Sequence, residues 1–315
     1  MTAASRTIRD TMCAKPLLPP AVSGERIEFD SRAGRLSVYV AGTGPALLLV
    51  HSVNAAASAA EVAPLHEYLR ATHTVFSIDL PGYGFAERSD RDYTPRLMTD
   101  ALHATVEFIR ARCGPRPIDA LAVSLASEFL ARAAAEAPAH YRSLALVSPT
   151  GFSGRRAWRG ATGSTRGLPW LYRALRGPRS VWGASLFRGL TRPGVVRYFL
   201  QRTWGAKVID EALWHYCVLT ARQAGAEHAP LAFLAAGLFS ADIHTVYEQL
   251  GQPVWMSHGV RGDFTDYRGK TLVEARPNWQ FSVFSTGALP YFELPQRFCA
   301  AYADFLATAG RERGG

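Results

Sequence analysis

Ile118-Asp119-Ala120-Leu121-Ala122-Val123-Ser124-Leu125-Ala126 carries more structural information than any other stretch of this 315-residue chain. It reads as a buried apolar strand that runs into a turn centred on Ser124, and Ser127-Glu128-Phe129-Leu130-Ala131 continue it as a helix of small and apolar residues. A serine presented on such a turn sits in strained backbone, so a large residue two places before or after it collides with the neighbouring strand or helix. Ala122 and Ala126 fill those places. Ser124 is therefore the candidate nucleophile.

Upstream, Ala46-Leu47-Leu48-Leu49-Val50-His51 is a second apolar strand and leads into Ser52-Val53-Asn54. Thr74 to Leu80 is a third, followed by Pro81-Gly82-Tyr83-Gly84. Further strands are expected near Arg26–Phe29, Leu36–Val40, Leu144–Val147, Val254–His258 and Gln280–Phe284. Helices are expected near Ala60–Ala71, Thr94–Cys113, Ser124–Ala137 and Pro295–Ala309. This alternation predicts an α/β protein with a mostly parallel eight-stranded sheet covered by helices on both faces. About 100 residues separate the sixth strand from the seventh, too many for a plain crossover, so residues 150–252 are expected to form a helical cap. Residues 26–149 and 253–315 then make the core, and 1–25 a flexible arm.

The run Asp79-Leu80-Pro81-Gly82-Tyr83-Gly84-Phe85-Ala86-Glu87-Arg88 resembles the D-x-P-G-x-G-x-S loop of the α/β-hydrolase fold superfamily nearly residue for residue. Together with the segments at Ala46–Asn54 and Ala122–Ala126, it has that superfamily's order and spacing. The resemblance covers roughly Arg26 to Leu306. It implies that the backbone N–H groups of Val53 and Leu125 form an oxyanion hole, because in that fold such donors follow the third strand and the nucleophile. It also implies that a catalytic acid follows the seventh strand and a histidine the eighth. Asp263, in Gly259-Val260-Arg261-Gly262-Asp263, is the acid candidate, with Asp266 as the alternative. At the histidine position, in Gly287-Ala288-Leu289-Pro290, stands Ala288, and no histidine follows His258.

A serine hydroxyl is a weak nucleophile without a base, and general-base catalysis contributes roughly 10²- to 10⁴-fold. Three explanations remain open. His258 or Glu128 serves as substitute base, the one ending the seventh strand and the other lying a helical turn after Ser124. Alternatively, the pocket runs a non-hydrolytic lyase, isomerase or cyclisation step that uses the oxyanion donors alone. Or the protein binds a lipid-like ligand without turning it over. The reading is an enzyme acting on a hydrophobic or amphiphilic, ester-like or carbonyl-containing small molecule.

Composition bounds the rest. With 48% hydrophobic residues the chain can bury a full core, and no apolar run approaches the roughly 20 residues of a membrane span. The N-terminus lacks the apolar segment of a secretory signal, and Cys13, Cys113, Cys217 and Cys299 lie too far apart in sequence for a ligand cluster. A cytoplasmic protein with no metal is expected, and no organic cofactor, since neither G-x-G-x-x-G nor a P-loop is present. Between Gly151 and Ile209 stand eleven arginines and one lysine with no Asp or Glu, against a net +9 for the whole chain. Trp158, Trp170, Tyr172, Trp182, Phe187, Tyr198, Phe199 and Trp204 are interleaved with them. Such a surface suits an anionic membrane interface, touched peripherally, or an anionic amphiphilic substrate. No nucleic-acid module is recognisable, so nucleic acid is not an expected partner.

Overall fold

The computed structural model describes residues 17–154, 156–177 and 181–311. Its strands are β1 (Glu25–Ser31), β2 (Gly34–Ala41), β3 (Ala46–Val50), β4 (Thr74–Asp79), β5 (Ile118–Val123), β6 (Tyr141–Val147), β7 (Val254–Gly259) and β8 (Trp279–Phe284). They form one sheet in the order β1-β2-β4-β3-β5-β6-β7-β8. β2 runs antiparallel to both its neighbours and every other pairing is parallel.

Alternate residues explain why the central strands read as unbroken apolar runs. Leu48, Val50, Ala120, Ala122, Leu144 and Leu146 enter one buried cluster, while Leu47, Leu49, Leu121, Val123, Ala145 and Val147 enter a second on the opposite face. A sheet buried on both sides has no polar face to alternate with. The helices that cover it are α1 (Ala63–Leu69), α2 (Pro95–Cys113) and α3 (Ala126–Glu136) before β6, and α10 (Pro290–Glu293) and α11 (Pro295–Arg311) after β8. Between β6 and β7 the chain forms α4 (Pro169–Arg176), α5 (Val181–Leu190), α6 (Pro193–Trp204), α7 (Glu211–Thr220), α8 (His228–Leu234) and α9 (Ile243–Gln249).

Several expectations are corrected in detail. Helix α3 starts at Ala126, not Ser124, because Ser124 has φ 54° and a left-handed residue cannot belong to a right-handed helix. The helix expected from Ala60 begins as a 3₁₀ turn at Ala59–Val62, capped by the Ser58 hydroxyl, and becomes α-helical only at Ala63. Of the expected N-terminal arm, residues 1–16 lie outside the described residues. Residues 17–24 are not loose: Leu18 and Val22 are buried, Ala21 N–H donates to the Tyr39 hydroxyl (3.1 Å), and the Tyr216 hydroxyl donates to Pro19 O (2.8 Å).

Helix α3 also fastens the inter-strand insertion to the core. Glu128 pairs with Arg166, and one turn on, Arg132 forms a two-pronged pair with Asp242 (2.6 and 3.2 Å). The two clamps have opposite polarity.

Candidate active site

The parallel register of β3 and β5 places Val50 beside Ala122. Three residues further along each chain come Val53 and Leu125, so their loops emerge side by side at the C-terminal edge of the sheet. Ser124 stands at that edge with φ 54°, and its N–H donates to Val147 O (2.8 Å), tying the turn to the end of β6. Ala122 and Ala126 are fully buried, in keeping with the space the turn leaves.

Around Val53 almost every polar group is engaged. Leu80 N–H donates to His51 Nε2 (3.0 Å), which leaves Nδ1 to carry the proton and donate to Ser52 O. Glu61, buried, accepts from Ser52 N–H (2.9 Å) and from the Asn54 side-chain amide (2.6 Å), and Asn54 Oδ1 in turn accepts from Ala56 N–H (2.7 Å). Burial lowers the His51 pKa to about 4 and raises that of Glu61. Among the described residues, the N–H groups of Val53 and Leu125 have no hydrogen-bond partner, although both residues are buried. Buried, unpaired backbone N–H groups are rare, and two of them beside a strained serine form an arrangement able to receive an oxyanion.

The glycine-rich loop after β4 is explained by sterics. Asp79, fully buried, accepts from Ala59 N–H (2.9 Å) and Phe85 N–H (3.0 Å) and so joins two loops at the site's edge. Gly84 has φ 49°, and a Cβ there would lie 1.9 Å from the Asp79 carboxyl carbon.

Among the described residues none of the other sequence candidates hydrogen-bonds to the serine side chain, although Asp263 and Asp266 line the same cavity. Among the described residues, Ser124 Oγ makes no hydrogen bond. Glu128 is fully buried, and its carboxylate is taken up by Arg166 (3.1 Å), the Thr150 hydroxyl (2.6 Å) and Ser240 N–H (2.7 Å). Burial nevertheless raises its pKa. His258 donates from Nδ1 to Gly259 O (2.9 Å) and stacks on Tyr267 with ring centroids 4.0 Å apart, and its buried Nε2 has no partner. Burial lowers its pKa, so the ring is neutral near pH 7. Asp263 is half-exposed and paired with Arg202, not with a histidine. Asp266 is held by Arg268 (2.8 Å) and by Gly154 N–H (3.0 Å), and the Arg268 contact keeps its carboxyl well below the usual range. Ala288 is buried, and its carbonyl accepts from the Ser148 hydroxyl (2.7 Å).

A cavity of about 230 Å³ lies over Ser124, and its walls include Ser148, Trp158, Arg166, Phe239, Asp263 and Tyr267. Ser148, like Ser124, has left-handed backbone, with φ 47°. Ser148, Trp158, Arg166 and Phe239 escaped the reading of the sequence as site residues. Ser148 could have been found as the polar residue closing a buried strand; the others carry no local signal. Among the described residues no group of three His, Cys, Asp or Glu side chains is arranged to hold a metal ion. No described helix is long and apolar enough to cross a membrane.

Comparison with known proteins places this geometry. The family model for the alpha/beta hydrolase fold matches residues 45–186. A pimeloyl-[acyl-carrier protein] methyl ester esterase of Xylella fastidiosa (strain 9a5c) is 35% identical over 121 residues, which make up 38% of this chain and 43% of that protein. The match thus spans less than half the length of that relative. Among solved structures, the enol-lactonase from Burkholderia xenovorans LB400 superposes with TM-score 0.67 at 15% identity, over 89% of this chain and all of its own. A thermophilic esterase from Thermogutta terrifontis gives 0.68 at 17% identity, over 91% of this chain and 99% of its own. Strand order, the strained serine turn, the matched segment and these likenesses agree, and the chain has the α/β-hydrolase fold.

Proposed function

We propose that the cavity over Ser124 binds an ester-like or other carbonyl-containing small molecule, with its carbonyl oxygen between the N–H groups of Val53 and Leu125. Ser124 is the nucleophile, or a hydrogen-bond donor where no acyl-enzyme forms, and residues 150–252 act as a cap that closes the pocket. The observation that carries this reading is the pair of buried, unpartnered N–H groups beside a serine at φ 54°. Keeping strained backbone and unpaired donors together costs stability, and an oxyanion is the group that offsets it. The Xylella relative, a pimeloyl-[acyl-carrier protein] methyl ester esterase of which less than half is matched, points the same way.

The proton on Ser124 is the weak point of this site. With Ala288 where the resemblance calls for histidine, and Asp263 committed to Arg202, acyl transfer proceeds with no strong base at the serine. His258, neutral and with a free Nε2, is the better remaining acceptor, because Glu128 is already engaged by three donors. That same lack of a base at Ser124 Oγ favours a second reading, a non-hydrolytic reaction or ligand binding in the same cavity.

Steady-state hydrolysis of short chromogenic esters separates the two readings. Slow turnover that Ser124→Ala abolishes supports acyl transfer; turnover unchanged in that variant removes Ser124 from the mechanism. Peripheral contact with anionic lipid is supported by Trp170 and Trp182, 63% and 80% exposed, on the same helices as the exposed Arg173 and Arg188. Sedimentation with anionic vesicles tests it, and equal binding to neutral vesicles counts against an electrostatic contact.

A further inference from the structure

The wall of the serine cavity contributed by the insertion is built around one indole. The guanidinium carbon of Arg166 lies 4.4 Å from the Trp158 ring centroid and 5.6 Å from that of Phe239, and the guanidinium carbon of Arg156 lies 4.1 Å from the same Trp158. One ring therefore carries two like charges. Cation–π attraction holds each guanidinium against the ring but does nothing to relieve their mutual repulsion. An anion between or beside them does.

Arg166 is fixed in a way that leaves a donor free. Its Nε donates to Ser240 O (2.9 Å) and its Nη2 to Glu128 (3.1 Å), while Nη1 has no partner among the described residues. Its side chain is 15% exposed, and it shares the cavity wall with Ser124. Arg156 is exposed and makes no ion pair among the described residues.

The carboxylates of the region are already assigned. Asp263 faces Arg202, Asp266 faces Arg268 and Gly154 N–H, and Glu128 divides itself between Arg166, Thr150 and Ser240. Four guanidiniums, those of Arg156, Arg166, Arg202 and Arg268, thus meet three carboxylates, and the unmatched charge sits on the Trp158 stack. At about 230 Å³ the cavity is smaller than the roughly 300–1,000 Å³ of pockets for drug-sized ligands. A short molecule fits within it.

We infer that Arg166, stacked with Trp158 and Arg156, is an anion subsite that receives a carboxylate on the substrate itself, so that the preferred ligand is a short-chain ester or carbonyl compound carrying a free carboxylate. This rests on the function proposed above and names the substrate class of that same cavity. Arg166 fixes the charged end of the ligand by a charge-assisted hydrogen bond from Nη1, and the planar guanidinium, already held by Ser240 O, Glu128 and the Trp158 ring, loses little freedom in doing so.

Binding, not turnover, is the test, so that it does not depend on Ser124 acting as a nucleophile. Full-length Ser124→Ala protein is titrated calorimetrically at pH 7.5 with monomethyl glutarate and with dimethyl glutarate, which differ by one methyl group and one charge. The inference predicts that the anionic monoester binds about tenfold more tightly than the neutral diester, that Arg166→Gln in the same background abolishes that preference, and that Arg156→Gln reduces it. Arg156→Gln leaves the Glu128 clamp intact and decides the matter if Arg166→Gln does not fold. Equal binding of the two ligands, binding of neither, or a preference that survives Arg156→Gln and Arg166→Gln overturns the inference. The proposed hydrolytic role of Ser124 stands or falls separately, on ester turnover.

Discussion

His51 shows how one side chain ties loop conformation to pH. Its ring accepts from Leu80 N–H and donates to Ser52 O, an arrangement open only to the neutral form, and burial lowers its pKa to about 4. The unfolded chain binds the proton more tightly, with a pKa of about 6.5. Stability from this group is therefore complete above about pH 6.5 and is lost as pH falls toward 4. His51→Asn keeps one donor and one acceptor but cannot take up the proton. The stability advantage of wild type over this variant, measured by urea unfolding, is predicted to shrink by roughly 3 kcal/mol between pH 7 and pH 4. An advantage constant over that range contradicts the burial of a neutral ring. At this scale the sequence is legible where sterics dictate the residue type. Gly84 must be glycine because Asp79 fills the space of a Cβ, and Ala122 and Ala126 must be small because the serine turn is crowded. Arg166 and Trp158 were not legible, because nothing local tells which of eleven arginines turns inward. That depends on Phe239, Ser240 and Glu128, which reach them only in the folded chain.

Among the elements, α3 has the most connected role. Its N-terminus follows Ser124, and its next turn and a half carries both clamps to the insertion, Glu128–Arg166 and Arg132–Asp242. The second pair is nearly dry, with side chains 9% and 4% exposed. Removing one partner of a buried pair leaves an uncompensated charge, so Arg132→Met is predicted to cost roughly 3 kcal/mol. Adding Asp242→Leu should restore most of that loss, because the hydrophobic replacement of a whole buried pair is nearly neutral. Chemical unfolding of the two variants is the check; a double variant as unstable as the single would place the energy elsewhere than in the charges. The strands were legible because a sheet buried on both faces writes continuous apolar runs. Their ends were not: β6 starts at Tyr141, three residues before the apolar run expected at Leu144, because Arg142 and Ser143 satisfy their polar groups on Asp119.

Over the whole molecule, formal charge and available charge differ. The insertion's arginines look unopposed in sequence, yet Arg159, Arg166, Arg176, Arg197 and Arg202 all pair with carboxylates brought from elsewhere in the chain. Arg166, Arg176 and Arg202 thereby dock the insertion to the core, and among the described residues of the basic stretch Arg156, Arg173, Arg188 and Arg192 are left without a carboxylate, of which Arg156 alone stacks on Trp158 beside the cavity. The same separation applies to the proposed site: the two unpaired N–H groups and the strained serine arise from local geometry that the sequence records, whereas the resemblance calls for a histidine where Ala288 stands. The central claim of the proposed function is that this site presents Ser124 for attack without a histidine base. The measurement that tests it most directly is the rate at which a fluorophosphonate adds to the protein, followed by intact mass, in wild type, Ser124→Ala and Ala288→His. The account predicts slow labelling of wild type, none of Ser124→Ala, and labelling of Ala288→His faster by about 10²-fold or more. Labelling of Ser124→Ala, or an Ala288→His variant no faster than wild type, would contradict it.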